Sequence, residues 1–146
     1  MTVGILNVEG LRSMLGNKAF IELIQQWDVV GLVETWIEEK HKVNIIGYDV
    51  YGEMGKRRSN RGRSSGGIMV LVKEKLRNKV KQIQLKTEGM VWLLMEAKEE
   101  VIVMGFMYNP PKGSNFENNE FFEEMAIEIE RINIIYSITG LVCTFL

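Results

Sequence analysis

Two segments of this chain are apolar on both faces of any strand that they could form. They are Ile68–Val72 and Val101–Met107, and neither contains a polar side chain. A half-exposed antiparallel strand alternates apolar and polar residues, so an unbroken apolar run predicts cover on both faces of the sheet. We therefore expect an α/β (α+β) fold with one mostly antiparallel sheet. Its helices would cover one face, and a partner outside this chain would cover the other.

A strand–helix–strand unit is predicted at the N-terminus. Val3–Val8 is the first strand and Val29–Val33 is the second. Between them, apolar residues recur at positions i, i+3, i+4 and i+7, which marks one helix face. That face consists of Phe20, Leu23, Ile24 and Trp27, and Asn17 is a suitable cap for the helix.

Further strands are predicted in quick succession after this unit, and a helix follows them. The strands are Ile45–Tyr51, Gly67–Val72, Val80–Leu85, Val91–Glu96, Val101–Tyr108 and, after the helix, Ile132–Ile138. The last two before the helix flank a polar turn and should form a hairpin. The helix is expected to bury Phe121, Phe122, Met125, Ile129 and Ile132. Its opposite face should be exposed to solvent and carries Glu117, Glu120, Glu123, Glu124, Glu128 and Glu130.

Length and charge indicate one domain, residues 1–146, with a side that faces polyanions. The net charge is −1, yet residues 56–86 carry eleven lysines and arginines against one acid. Such asymmetry favours nucleic-acid binding. The candidate contacts are Lys56, Arg57, Arg58, Arg61 and Arg63, and the alternative is a solvated loop. The single cysteine fits an intracellular setting, and the uncharged C-terminal segment is too short to predict a membrane span.

Two polar side chains lie at the ends of the apolar runs in the two N-terminal strands. Asn7 follows the run Val3–Leu6, and Glu34 follows the run Val29–Val33. In α/β folds, sites usually form at the carboxyl edge of the sheet, where neighbouring strand ends meet. An amide oxygen beside a carboxylate suits Mg²⁺, which often takes one or two carboxylates plus water and phosphate. The alternatives are an ordinary strand-end asparagine and a glutamate in the first turn of a helix.

Five short segments resemble the endonuclease/exonuclease/phosphatase superfamily, and more narrowly the apurinic-like endonuclease domain of LINE-type non-LTR retrotransposons. Each is weak alone, but they occur in the family's order across residues 3–136. The segments are Leu6-Asn7-Val8-Glu9-Gly10-Leu11, Trp27–Trp36, Gly62–Ile68, Val91-Trp92-Leu93 and Tyr108-Asn109-Pro110-Pro111. The glycines of the third are expected to form a turn into a strand rather than a phosphate loop.

The resemblance implies a four-layer α/β/β/α sandwich that cleaves phosphodiesters with Mg²⁺. Retrotransposon members of the family nick target DNA to prime reverse transcription, which implies a DNA partner and action in the nucleus. By position, Asn7 and Glu34 match the family's metal-site residues, and Tyr108 matches the tyrosine that approaches the phosphate. A packed aromatic residue that closes a strand is the alternative for Tyr108.

The chain also departs from the family. The family's late strand ends in Gly-Asp-x-Asn, whereas this chain has Ile134–Gly140, and the later Asp-His pair is absent. We therefore expect the N-terminal half of the sandwich, with a divergent tail at 137–146 and impaired catalysis. The alternatives are a non-catalytic nucleic-acid-binding or interaction module and a phosphatase of the same fold. An uncovered sheet face would also favour self-association.

Overall fold

The computed structural model describes residues 1–39, 43–57, 62, 64–85, 87–114 and 117–146. Within these residues, eight strands form two sheets of four strands each. The strands are β1 (Val3–Asn7), β2 (Val29–Val33), β3 (Tyr48–Glu53), β4 (Ile68–Lys73), β5 (Val80–Ile83), β6 (Met90–Ala97), β7 (Glu100–Met107) and β8 (Gly140–Phe145). The helices are α1 (Leu11–Met14), α2 (Lys18–Ile24) and α3 (Phe121–Tyr136), with a 3₁₀ segment at Glu74–Lys79.

Each sheet contains one parallel pair, formed across a helical connection. The first sheet has the order β1-β2-β4-β3, and β1 runs parallel to β2 because α1 and α2 lie between them in the chain. The second has the order β5-β6-β7-β8, and β8 runs parallel to β7 after α3. All other pairs are antiparallel. The predicted β6–β7 hairpin is confirmed.

The period of two along each strand divides its side chains between two cores. In β2, Val30 and Leu32 pack in a core with α1 and α2, whereas Val29 and Val33 lie in the core between the sheets. In the second sheet, Trp92 faces α3 and belongs to a third core. The layers are therefore helix, sheet, sheet and helix, which confirms the expected α/β/β/α sandwich.

The expectation of a single sheet with external cover is wrong. The chain builds both sheets itself, and the two apolar runs that require double cover bury each other. Gly31 of β2 lies against the ring of Phe106 of β7, so the sheets approach closely at this point. The sheet face that was expected to be uncovered is thus buried against the second sheet. It is not available for the self-association that the sequence predicted. Exposed apolar residues occur elsewhere and include Ile134, Ile135, Leu141, Val142 and Phe145.

The C-terminal region also differs from the predicted pattern. Ile132–Ile138 was expected to be a strand, but α3 continues to Tyr136 because Ile132 extends its buried stripe. The helix ends at Ser137, which has a left-handed φ of 48°. The divergent segment 137–146 then contributes β8 to the second sheet.

Two side chains of α3 lie opposite to their predicted faces. Glu128 is only 3% exposed and accepts a hydrogen bond from Trp92 Nε1 at 2.5 Å, whereas Phe122 is 62% exposed. Glu128 lies seven residues after Phe121 and so falls on the buried stripe. Among the described residues, no helix is long and apolar enough to cross a membrane.

Candidate active site

Asn7 and Glu34 occupy neighbouring positions at the carboxyl ends of β1 and β2. The parallel register pairs Asn7 with Val33, the residue directly before Glu34. The chain segments that leave both strands stay in contact, since Gly10 N–H donates to the Glu34 carbonyl at 2.8 Å. Asn7 is exposed, and its Oδ1 accepts the backbone N–H of Glu9 at 3.1 Å. The structure thus brings together the two residues that the sequence proposes as metal ligands.

A turn of unusual backbone conformation presents the Glu34 side chain. Glu34 and Trp36 have φ values of 57° and 55°, on either side of the buried Thr35. Non-glycine residues rarely adopt this left-handed region, and such outliers cluster at functional sites. Trp36 Nε1 donates a hydrogen bond to Glu34 Oε2 at 2.5 Å. The carboxylate is half-buried and held by the residue two positions later.

The glycine-rich segment before β4 holds this turn in place. Thr35 N–H donates to the Gly67 carbonyl at 3.3 Å, and Trp36 N–H donates to the Gly66 carbonyl at 3.0 Å. Gly66 and Gly67 have φ values of 66° and 89°, which glycine adopts without strain. The prediction that these glycines form a turn into a strand is confirmed.

Tyr108 reaches the same site from the second sheet. It follows β7 directly and lines the same cleft as Glu34. Burial is the largest cause that raises the pKa of Tyr108 to about 12, and interactions with the carboxylates of Glu34 and Glu9 add to it. The phenol is therefore protonated at neutral pH and serves as a hydrogen-bond donor. Of the sequence-based set, Glu34 and Tyr108 meet at the cleft between the two sheets, and Asn7 lies at the adjacent end of β1 outside the residues that line the cleft.

Glu34 and Tyr108 line a cleft of about 790 Å³ that reaches the start of α3. Its wall is rich in carboxylates, which are Glu53, Glu88, Glu117, Glu120 and Glu124 in addition to Glu34. Glu53 accepts the Gly89 N–H at 3.1 Å. Burial raises the pKa of Glu53, although this hydrogen bond and Lys56 lower it in part.

The basic loop meets the cleft through Lys56. Lys56 forms an ion pair with Glu88, and Arg57 Nε bonds Glu38 Oε1 at 3.1 Å. Both described cations of the predicted nucleic-acid contact set are thus paired with acids. The other members, Arg58, Arg61 and Arg63, lie outside the described residues.

The donor atoms at the strand ends fit a solvated magnesium ion. Among the residues that the structure describes, no three His, Cys, Asp or Glu side chains converge on one point. A site here would consist of the Glu34 carboxylate and the Asn7 amide oxygen. Because Mg²⁺ keeps several waters and often takes only one or two carboxylates, these donors suit it with substrate phosphate as a further ligand.

β8 ends beside Tyr108 without a carboxylate. Phe145 pairs with Met107, and Leu146 N–H donates to the Met107 carbonyl at 3.3 Å. The strand that follows α3 is β8, whereas the sequence predicts a strand at Ile132–Ile138. The Gly-Asp-x-Asn motif expected from the resemblance does not occur in β8.

Sequence reasoning missed two residues of the site. Trp36 was noted only as part of a matching segment, and Glu9, with a φ of 43°, was assigned no role. A signal for Trp36 was present, because an indole two residues after a strand-end carboxylate can reach back to it. The contribution of Glu9 to the field at Tyr108 depends on the docking of two sheets, which local sequence does not reveal.

Comparison with known families identifies the group to which this arrangement belongs. A family model described as the endonuclease/exonuclease/phosphatase family matches residues 4–117. The chain belongs to this family. The match spans both Asn7 and Glu34 as well as Tyr108, so the three candidate residues all lie within the family region. No curated protein sequence matches the chain significantly.

Several solved structures share the fold of this chain at low sequence identity. The endonuclease domain of TRAS1, a telomere-specific non-LTR retrotransposon, is 15% identical with a TM-score of 0.53, over 97% of this chain and 57% of that one. An AP endonuclease from Archaeoglobus fulgidus is 16% identical with a TM-score of 0.51, over 92% and 50%. Truncated Caenorhabditis elegans TDP2 is 11% identical with a TM-score of 0.54, over 92% and 56%. The chain therefore spans half or slightly more of each of these structures.

Proposed function

We propose that this chain supplies the metal-binding half of a Mg²⁺-dependent DNA-nicking site of the retrotransposon endonuclease type, acting in the nucleus. The observation that carries the proposal is that Glu34 of the first sheet and Tyr108 of the second line one cleft, with Asn7 at the adjacent end of β1. Family membership and the fold shared with the TRAS1 domain support it.

The proposed roles follow from the chemistry of each group. Glu34 and Asn7 would hold Mg²⁺, and the bound ion would neutralise charge on a phosphodiester. Tyr108, protonated at neutral pH because of its raised pKa, would donate a hydrogen bond to a phosphate oxygen at the cleft. Because β8 contains no carboxylate and the sequence has no Asp-His pair, the residues that the resemblance assigns to positioning water are missing from these 146 residues. The chain alone should bind Mg²⁺ and nick DNA slowly.

The test combines a Mg²⁺ titration by calorimetry with nicking of supercoiled plasmid. Wild type is compared with Glu34→Ala and with Glu22→Ala, an exposed acid of α2 outside the site. We expect binding that disappears in Glu34→Ala and persists in Glu22→Ala, with nicking near background for all three. Mg²⁺ binding that does not depend on Glu34 would refute the assigned site. Robust nicking that requires Glu34 would show that a complete site exists in this chain.

A DNA-binding surface beside the cleft is the second proposal. Lys56 lines the same cleft as Glu34, and Arg57 follows it. Release of counterions by phosphate contacts gives log K a slope of about −0.9 per contact against log salt. Replacing both Lys56 and Arg57 by Gln should reduce that slope by about two units for a duplex.

The control for this experiment is Lys18→Gln, because Lys18 is an exposed cation of α2 outside the cleft. The slope should not change in this variant. A loss of about one unit in this control, half that of the double variant, would mean that binding follows net charge and not the loop. Hydrolysis of p-nitrophenyl phosphate without DNA binding would instead favour a phosphatase.

A further inference from the structure

Trp36 follows Glu34 by two positions in the chain, and its side chain contacts the Glu34 carboxylate. Its Nε1 lies 2.5 Å from Glu34 Oε2 and donates a hydrogen bond. The left-handed φ values of both residues, 57° and 55°, shape the turn that carries this pair. A strained backbone persists only where its surroundings over-determine it, so this geometry indicates a role for the side chains that it places.

The Trp36 ring has little freedom to leave this position. It lies on the bare backbone of Gly10, where an added Cβ would meet ring atom Cε3 at 2.8 Å. The Trp36 backbone N–H is bound to Gly66 at 3.0 Å. The indole N–H is therefore a fixed donor, and Glu34 is the acceptor that adapts to it.

The Trp36 indole is a neutral donor to the Glu34 carboxylate, and the Tyr108 hydroxyl belongs to a residue that lines the same cleft. A neutral donor leaves the negative charge in place, unlike a lysine or arginine partner. A carboxylate offers about four lone-pair sites, so this bond leaves the others for a cation. Partners of this kind fix a metal ligand in one orientation and commonly change metal affinity about 10- to 100-fold.

We propose that Trp36 is a positioning residue that holds Glu34 in the orientation that binds Mg²⁺. The inference rests on the proposed function, because it assumes that Glu34 is the ligand. Trp36 acts through Glu34 and needs no contact with the phosphodiester. Loss of the indole N–H should weaken Mg²⁺ binding while the packing of the ring stays in place.

Trp27 provides a matched control for the same substitution. Its indole is also partly buried and lies against a glycine, Gly4, but within the described residues its Nε1 has no hydrogen-bond partner. Trp36→Phe and Trp27→Phe therefore remove the same group, and only the first removes a bond to Glu34. Mg²⁺ titration by calorimetry, repeated with Mn²⁺ by electron paramagnetic resonance, should show about 10- to 100-fold weaker binding in Trp36→Phe. Trp27→Phe should retain wild-type affinity.

A metal-free measurement tests the bond itself. In a ¹⁵N–¹H spectrum, the indole proton of Trp92, which donates to Glu128 at 2.5 Å, serves as a bonded reference. The Trp36 proton should resonate downfield with it, away from Trp27, and should shift upfield in Glu34→Ala. The proposal would be overturned if the Trp36 indole proton had the chemical shift of the Trp27 proton and if that shift did not change in Glu34→Ala.

The outcomes separate this inference from the proposed function. Mg²⁺ binding that requires Glu34 but is equal in wild type and Trp36→Phe would overturn the positioning role alone. If wild type does not bind Mg²⁺, or if Glu34→Ala binds it equally well, the proposed function is overturned and this inference with it.

Discussion

Gly31→Ala is the substitution that tests the sandwich most directly. An ideal Cβ on Gly31 would lie 2.5 Å from Phe106 Cδ1 and 3.2 Å from Cγ. Unstrained carbon atoms stay about 3.5–4.0 Å apart, so the ring or the sheet would have to move by roughly 1 Å. Phe106 is fully buried in the core between the sheets, together with Val33 and Val70. The added methyl group therefore has no space to occupy.

The expected cost follows from this overlap. Overpacking of a core costs about 1–3 kcal/mol, and replacing a strand glycine by alanine returns roughly 0.5–1 kcal/mol. We expect a net loss of about 1–2 kcal/mol in the free energy of unfolding. For a chain of this length, that corresponds to a fall of about 3–8 °C in Tm. Urea titration and scanning calorimetry would measure both quantities.

Two further variants make the experiment specific. Gly16→Ala is the matched control, because nothing lies within 4 Å of its ideal Cβ, and its stability should equal that of wild type or exceed it slightly. Phe106→Leu should relieve the overlap, so the double variant Gly31→Ala/Phe106→Leu should lose at least about 1 kcal/mol less than the sum of the single variants. The close approach of the sheets would be refuted if Gly31→Ala were as stable as Gly16→Ala and if the effects of Gly31→Ala and Phe106→Leu were additive in the double variant.

Three other changes have defined expected outcomes. A hydrogen bond from Lys75 is the largest cause that lowers the pKa of Asp28. The charged Asp28 therefore stabilises the fold above about pH 4, and this contribution is lost as the pH falls further. In urea titrations, the difference in free energy of unfolding between wild type and Asp28→Asn should shrink between about pH 5 and 2. Trp92→Phe removes the donor to buried Glu128 and should cost about 2–3 kcal/mol by calorimetry, and prior replacement of Glu128 by Gln should reduce that cost. Asn17→Ala removes the α2 cap and should lower the free energy of unfolding by about 1 kcal/mol, whereas Asn17→Ser should largely retain it.

The sequence predicted those parts of the molecule that depend on local pattern. β1, β2 and the β6–β7 hairpin follow from short apolar runs with polar ends. The neighbouring positions of Asn7 and Glu34 follow from two strand ends joined by one helical connection. The isoleucine-rich end of α3 misled the prediction, because β-branched residues favour strands when neighbours are ignored. Packing of Ile132 and its neighbours against the second sheet stabilises a helix in this segment.

Features that depend on docking could not be predicted in this way. Apolar runs indicate that both faces of a strand are covered, but they do not say what covers them. The cleft shared by Tyr108 and Glu34 joins residues 74 positions apart on different sheets, and the burial of Glu128 depends on a tryptophan in β6. Both features depend on the packing of surfaces that are far apart in the sequence, so a short stretch of sequence cannot reveal them.

The division of the strands along the chain has a consequence for how the molecule forms. β1–β4 lie within residues 3–73 and β5–β8 within residues 80–145, so every strand pair joins partners from one half of the sequence. Because the N-terminal half leaves the ribosome first, its sheet can pair before the other is complete. Glu34 and Tyr108 belong to different halves and meet only when the sheets dock. We therefore expect the candidate active site to be the last part of the molecule to form during folding and the first to be lost on unfolding.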